Sequence, residues 1–245
     1  MTATREMTIR DIVADDFRAA AVFQRHGIDF CCKGNRSVEE ACRGGSVTAE
    51  RILEEVADAT AAPAVGGPRF GSWDVGMLAA YIVANHHAFV RQALPILQTH
   101  TKKIAAVHGT GHPELQEIAV LVDGIAAEMA SHMMKEEEIL FPYVTGLGTA
   151  SRGEGPHPSA PFSTVSSPIR MMEMEHESVG DATARIRALT DGYRIPEDAC
   201  TTYRICLQEL DAFERDLHEH VHLENNILFP KAKRLESEIR EAAPR

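Results

Sequence analysis

The chain has 245 residues, enough to bury one large core or two unequal ones. Its net charge of −11, with no long basic run, argues against nucleic acid or an anionic membrane as the main partner. No apolar stretch approaches the roughly 20 residues of a membrane span, and five cysteines, two of them adjacent, do not resemble a secreted disulfide framework. A reducing cytoplasm is the expected location. Aromatic residues are only 6% of the chain, while Ala, Leu, Ile, Val, Glu and Arg are plentiful, which favours an all-α fold.

Residues 1–60 read as a small helical domain. Thr8 is an N-cap candidate, with Asp11 three residues later, for a helix carrying Ile9, Ile12, Val13, Phe17, Ala20 and Phe23 and ending near Gly27. Cys31 and Cys32 follow in a turn flanked by Gly27 and Gly34. Adjacent thiols there can be redox-active, bind metal or close a vicinal disulfide; the plainer alternative is one buried Cys beside a bystander. Ser37 and Thr48 precede helical patterns over 38–43 and 49–60. A unit this small is expected to lean on the rest of the chain or on a partner subunit. Cys42, Cys200 and Cys206 read as structural.

Residues 61–72 have linker composition, and 73–245 read as a second domain. Asp74 caps a helix expected to run to about Val107 with Val83, His87, Val90 and Leu94 on one face, kinked at Pro95. Pro113 opens the next helix, which carries Leu121, Ile125, Met129, His132, Glu136 and Leu140 and is bent by Pro142. Residues 146–168, rich in Gly, Ser and Pro, read as a long crossover or lid. A third helix begins near Pro168 and carries Met172, His176, Val179 and Thr183. Pro196 is expected to open a fourth, with Tyr203, Leu210, Phe213, Leu217, His220, Glu224 and Leu228.

One phrase occurs twice. His132-Met-Met-Lys-Glu136-Glu-Glu-Ile-Leu-Phe-Pro142 returns as His220-Val-His-Leu-Glu224-Asn-Asn-Ile-Leu-Phe-Pro230. Residues i and i+4 share a helix face about 5–6 Å apart at Cβ. Each copy therefore aims one imidazole and one carboxylate at the same point. His87 and His176 precede the two copies at near-equal intervals, so the unit is a His helix followed by a His-x-x-x-Glu helix. Two such units make a four-helix bundle with four His and two Glu inside, the arithmetic of a dinuclear metal site.

A single His on an apolar face is more often a core residue than a ligand. Four on four helices, two of them with Glu at i+4, favour ligands. His86 also has apolar neighbours at helical spacing, so periodicity alone does not separate the two, and the repeat interval favours His87. Glu137 and Glu138 read as a solvated face. His218 and His222 lie about 160° around the helix from His220 and are expected to be exposed. His26, His100, His108 and His112 have no constellation. Four imidazoles, two bridging carboxylates and an oxo or hydroxo bridge fill about ten of roughly twelve positions around two six-coordinate ions, leaving about one open on each. That suits two irons meeting a small diatomic better than closed tetrahedral zinc.

These residues resemble a known family. His87, His132-x-x-x-Glu136, His176 in Met-Glu-Met-Glu-His-Glu, and His220-x-x-x-Glu224 resemble the hemerythrin-like domain of the iron-sulfur cluster repair di-iron proteins, the RIC, YtfE and ScdA group. Asp29-Phe-Cys-Cys-Lys-Gly34 resembles the Cys-Cys turn of that group's N-terminal domain. The resemblance covers nearly the whole chain. It implies a hemerythrin-like four-helix bundle behind a small helical N-terminal domain. It implies a non-haem, oxo-bridged di-iron centre on His87, His132, Glu136, His176, His220 and Glu224, with the two Glu as bridges.

The resemblance further implies repair of iron-sulfur clusters damaged by nitric oxide or oxidative stress, by supplying iron, with Cys31 and Cys32 in a redox or iron-transfer role. Damaged iron-sulfur proteins would be the partners, nitric oxide or oxygen the small ligand, and a homodimer the assembly seen in the group. The alternatives are a nitric oxide-binding or nitric oxide-reducing protein linked to denitrification, and a hemerythrin-like sensor. The Cys-Cys domain argues against a simple carrier. The chain departs from the group at His86 and in the 146–168 insert.

Overall fold

The computed structural model describes residues 3–61, 68–159 and 161–242. Half of the linker expected at 61–72, residues 62–67, lies outside the described residues. Among the described residues there is no strand, only one isolated bridge between Thr8 and Ser37.

The N-terminal helices are α1 (Ile9–Asp15), α2 (Ala20–Arg25), α3 (Val38–Cys42) and α4 (Ala49–Thr60). Thr8, Ser37 and Thr48 cap α1, α3 and α4, each accepting a backbone N–H three residues on. Ser37 and Glu40 complete a capping box. The single helix expected up to Gly27 is broken at Asp16. Its carboxylate turns back to accept from the Arg18 backbone and guanidinium, which starts a 3-10 turn at Phe17–Ala19.

The bundle follows. Its first helix is α5 (Val75–Ile82), a wide π turn (Val83–His87) and α6 (Ala88–His108). The second is α7 (Glu114–Lys135), a π turn (Glu136–Leu140) and α8 (Phe141–Ser151). The third is α9 (Ser166–Leu189), unbroken. The fourth is α10 (Thr201–His222), a π turn (Leu223–Leu228) and α11 (Phe229–Ala242). Pro142 does not end its helix. Pro142 and Pro230 have no N–H for the carbonyls of Glu138 and Asn226, and the widened turn before each relieves that mismatch. The fourth helix starts at Thr201 rather than Pro196, because Pro196 closes a turn by accepting from Ala199 N–H. The irregular crossover narrows to about 152–165, since α8 extends to Ser151.

Two apolar clusters fill the molecule. One joins the N-terminal residues Ile9, Phe23, Phe30 and Ile52 to Val90, Met129, Val179 and Leu217 of the bundle. The other joins Ile82, Leu140, Met172 and Leu223. Along every bundle helix a polar layer falls between them, at His87, His132 to Glu136, His176, and His220 to Glu224.

Candidate metal centre

The six residues singled out by the repeat converge in that layer. His87, Glu136, His220 and Glu224 form one buried group whose ligand atoms lie within 4.8 Å of one another. His132, Glu136, His176 and Glu224 form a second to the same limit. Both carboxylates belong to both groups. All six are at most 2% exposed.

Glu136 Oε2 is 3.3 Å from His87 Nε2 and 3.2 Å from His132 Nε2. Glu224 Oε1 is 2.9 Å from His220 Nε2 and 3.9 Å from His87 Nε2, and its Oε2 is 3.0 Å from His176 Nε2. The His132 and His176 Nε2 atoms face each other at 3.1 Å. Despite this crowding, both Glu136 oxygens, Glu224 Oε2 and His87 Nε2 are buried without a well-aligned hydrogen bond among the described residues. Buried lone pairs left facing one another are costly, and cations between them remove the cost. The nitrogen and carboxylate donors fit first-row transition metals.

The charges agree. Burial and Glu224 both disfavour the Glu136 carboxylate, yet the imidazoles of His132 and His87 hold its pKa below the usual value. Burial is likewise outweighed at Glu224, held well below by His220 and His176. Burial disfavours the imidazolium of His87, but Glu136 and Glu224 push it up to about 10. His132 is pushed up to about 9, Glu136 overcoming burial. At His220 burial prevails and lowers the pKa.

Outer partners aim the rings. His87 Nδ1 donates to Glu137 Oε1 at 2.6 Å, which also accepts from Arg91 at 2.6 Å. His132 Nδ1 donates to Glu175 Oε2 at 2.9 Å, and Glu175 is paired with Lys135. His176 Nδ1 donates to Asn225 Oδ1 at 2.9 Å. Each bond leaves the Nε2 lone pair pointing inward. Phe141 stacks on His87 and Phe229 on His176, with ring centroids 5.7 and 6.1 Å apart. Glu137 is therefore no solvated bystander. Glu137 and Asn225 each follow the carboxylate of their phrase and hold the upstream His, a signal present in the repeat although the residue types differ. Glu175 carried no comparable signal, lying outside the phrase.

The N-terminal domain reaches this layer. Asn225 Nδ2 donates to the Cys31 carbonyl at 3.3 Å, and Asn226 Nδ2 to the Phe30 carbonyl at 3.1 Å. Cys32 Sγ lies 3.4 Å from the His176 carbonyl. Gly180, one turn on, permits this approach, since a Cβ there would sit 3.3 Å from Cys32 Sγ. Cys31 and Cys32 are free thiols, Sγ to Sγ 3.8 Å, and with Asp29 they form a third close group. The hydrogen bond with Cys32, then burial, pushes the Cys31 thiol well up.

His222 and His218 are not the exposed pair expected. His222 is 1% exposed, accepts from Asn226 Nδ2 at 2.9 Å and packs on Phe17. His218 is half-buried against Phe30. The N-terminal domain covers this face of α10, which periodicity within α10 cannot reveal. Burial lowers the His222 pKa to about 3. His26, His100 and His112 pair with Glu55, Glu209 and Asp198 away from the centre. Cys206 is buried, Cys42 half-buried and Cys200 exposed.

Known proteins of similar sequence agree with this fold. Residues 78–232 match the hemerythrin HHE cation binding domain, and residues 5–60 match ScdA_N, a domain of unknown function. The iron-sulfur cluster repair protein ScdA of Staphylococcus haemolyticus is 35% identical over 93% of this chain and 98% of its own. The iron-sulfur cluster repair protein YtfE of Enterobacter sp. is 31% identical over 94% of this chain and 98% of its own. YtfE of Musicola paradisiaca is 32% identical over 95% and 99%. An all-α bundle with two His/Glu groups sharing their carboxylates, matched over most of its length, places the chain in the hemerythrin HHE cation-binding family, among the members that carry an ScdA_N domain.

Proposed function

We propose that this protein repairs iron-sulfur clusters damaged by nitric oxide or oxidative stress, by supplying iron from a non-haem di-iron centre. The observation that carries the reading is the sharing of both carboxylates between two His/Glu groups. The relatives' name, iron-sulfur cluster repair protein, agrees with the repair role. His87 and His220 would hold one iron, His132 and His176 the other, and Glu136 and Glu224 would bridge them. When bound, the irons supply transferable metal and one-electron redox chemistry. Glu137, Glu175 and Asn225 keep three Nε2 lone pairs aimed inward, and the apolar clusters on either side exclude water.

Cys31 and Cys32 are the groups that would pass iron on, since the Cys32 thiol lies against the backbone of His176. The domain limits are then 1–60 for the transfer domain and 73–245 for the iron store. The recipients would be damaged iron-sulfur proteins in the cytoplasm. No helix among the described residues is long and apolar enough to cross a membrane.

Metal analysis with Mössbauer spectroscopy tests the centre. About two irons per chain in a coupled pair are expected, and Glu136→Leu or Glu224→Leu should abolish the coupling by removing one bridge. A coupled spectrum that survives in both variants refutes the assignment. Reactivation of a nitric oxide-damaged iron-sulfur enzyme tests the role. Cys31→Ala/Cys32→Ala should keep both irons but reactivate poorly. Turnover of nitric oxide without any reactivation would favour the reductase alternative instead.

A further inference from the structure

The two halves of the centre place corresponding residues around the four imidazoles, and they part most clearly at one position. His87 corresponds to His176, His132 to His220, Glu137 to Asn225 and Phe141 to Phe229. The His132 and His176 rings lie 4.7 Å apart at 58°, and the matching His220 and His87 rings 5.0 Å apart at 60°. That position is the residue before each upstream His. In the second half it is Glu175, which accepts from His132 Nδ1 at 2.9 Å. In the first half it is His86.

His86 occupies the corresponding place beside His220 but makes no such hydrogen bond to it. Its ring stacks on His220, centroids 5.5 Å apart and planes within 11°. His220 Nδ1 is buried with no hydrogen bond among the described residues, and so is His86 Nε2. His86 Nδ1 instead faces Asp216 Oδ1 at 3.0 Å. Three of the four imidazoles thus have an outer acceptor, and His220 has none among the described residues.

We propose that His86 makes the two metal positions unequal: the ion held by His87 and His220 is the one released, and the ion held by His132 and His176 stays. This rests on the reading that the centre holds two irons and supplies iron. An acceptor on the outer nitrogen fixes ring orientation and strengthens the inner nitrogen as a donor, and its loss typically costs about 10- to 100-fold in metal affinity. His86 is a positioning residue by omission. It packs the ring of His220 without anchoring its N–H.

The test uses the full chain loaded anaerobically with two equivalents of ferrous iron and challenged with excess ferrous chelator. Release should occur in two phases of about one iron each, with rates differing by roughly 10- to 100-fold. His86→Gln offers an amide oxygen to His220 Nδ1 and an amide N–H to Asp216. It should slow the fast phase about tenfold and leave the slow phase unchanged. Glu175→His copies the first half into the second and should turn the slow phase into a fast one. A purely structural role for His86 would move both phases together, and that result overturns the proposal. So does a single release phase from wild-type protein that holds two irons. Failure to bind two irons at all would instead strike the di-iron reading beneath it, and the proposal with it.

Discussion

Asn225→Ala should destabilise the protein and undock the Cys-Cys turn in one step. Asn225 is 3% exposed and its amide spans two domains, accepting from His176 Nδ1 at 2.9 Å and donating to the Cys31 carbonyl at 3.3 Å. Alanine leaves both partners buried and unpaired, and each orphaned group costs about 1–3 kcal/mol. The sum is taken as about 3 kcal/mol, which for a chain of this size corresponds to a fall of roughly 6–12 °C in Tm. Thermal melts should be made on metal-free protein, so that lost iron affinity does not enter the comparison. Native-state thiol labelling supplies the second readout, since a turn no longer tied to α10 should expose Cys32 and speed its modification. A fall in Tm under about 2 °C with unchanged labelling would refute the reasoning. It would mean that the turn is held by the packing of Phe30 and Ile28 alone.

Two further outcomes follow from contacts around the centre. Gly180→Ala should change stability by less than about 1 kcal/mol, because helix propensity gained in α9 offsets the tight contact at Cys32. Cys32 labelling should nevertheless accelerate as the turn shifts, and a large stability loss with unchanged labelling would argue against this. Glu236→Gln should loosen the crossover. Glu236 is 4% exposed and accepts from Tyr143 Oη at 2.7 Å, Thr164 Oγ1 at 2.6 Å and Val165 N–H at 2.9 Å. Burial would raise its pKa, but these donors hold it below the usual 4.5. A carboxylate with a depressed folded-state pKa contributes stability that is present above its unfolded pKa and lost as pH falls through the folded one. Glutamine should therefore cost about 1–2 kcal/mol near pH 7, and the gap to wild type should close below about pH 4.5. A gap that stays constant in denaturant titrations down to acidic pH would contradict this.

How much of this was legible in the sequence depends on whether a contact stays within one repeat. The six inward residues were readable because a helix fixes which face i and i+4 share, and the duplication supplied its own control. The phenylalanines of Ile-Leu-Phe-Pro were visible as repetition, though not as lids on His87 and His176. The widened turns before Pro142 and Pro230 were not legible. A proline signals a missing N–H, but only packing decides whether the helix stops or stretches around it. His222 was misjudged because its burial comes from Phe17 and Phe30, about two hundred residues away in the chain.

The same logic explains why Asn225 and Asn226 carried no message beforehand. Their partners are backbone carbonyls at Cys31 and Phe30, and a carbonyl leaves no trace in residue type. The copy at Glu137 and Glu138 meets no such neighbour, so that half kept carboxylates. Glu137 holds His87 with Arg91 behind it, and Glu138 faces solvent. The difference between Glu-Glu and Asn-Asn thus marks the side of the bundle on which the N-terminal domain sits. A carboxylate at either Asn position would have set an oxygen with no N–H to offer against a buried carbonyl, whereas an amide offers an N–H to the turn and keeps its oxygen for His176 at Asn225 and for Arg10 at Asn226. The duplicated phrase built the centre symmetrically, and the substitutions that broke the symmetry tied it to the cysteines.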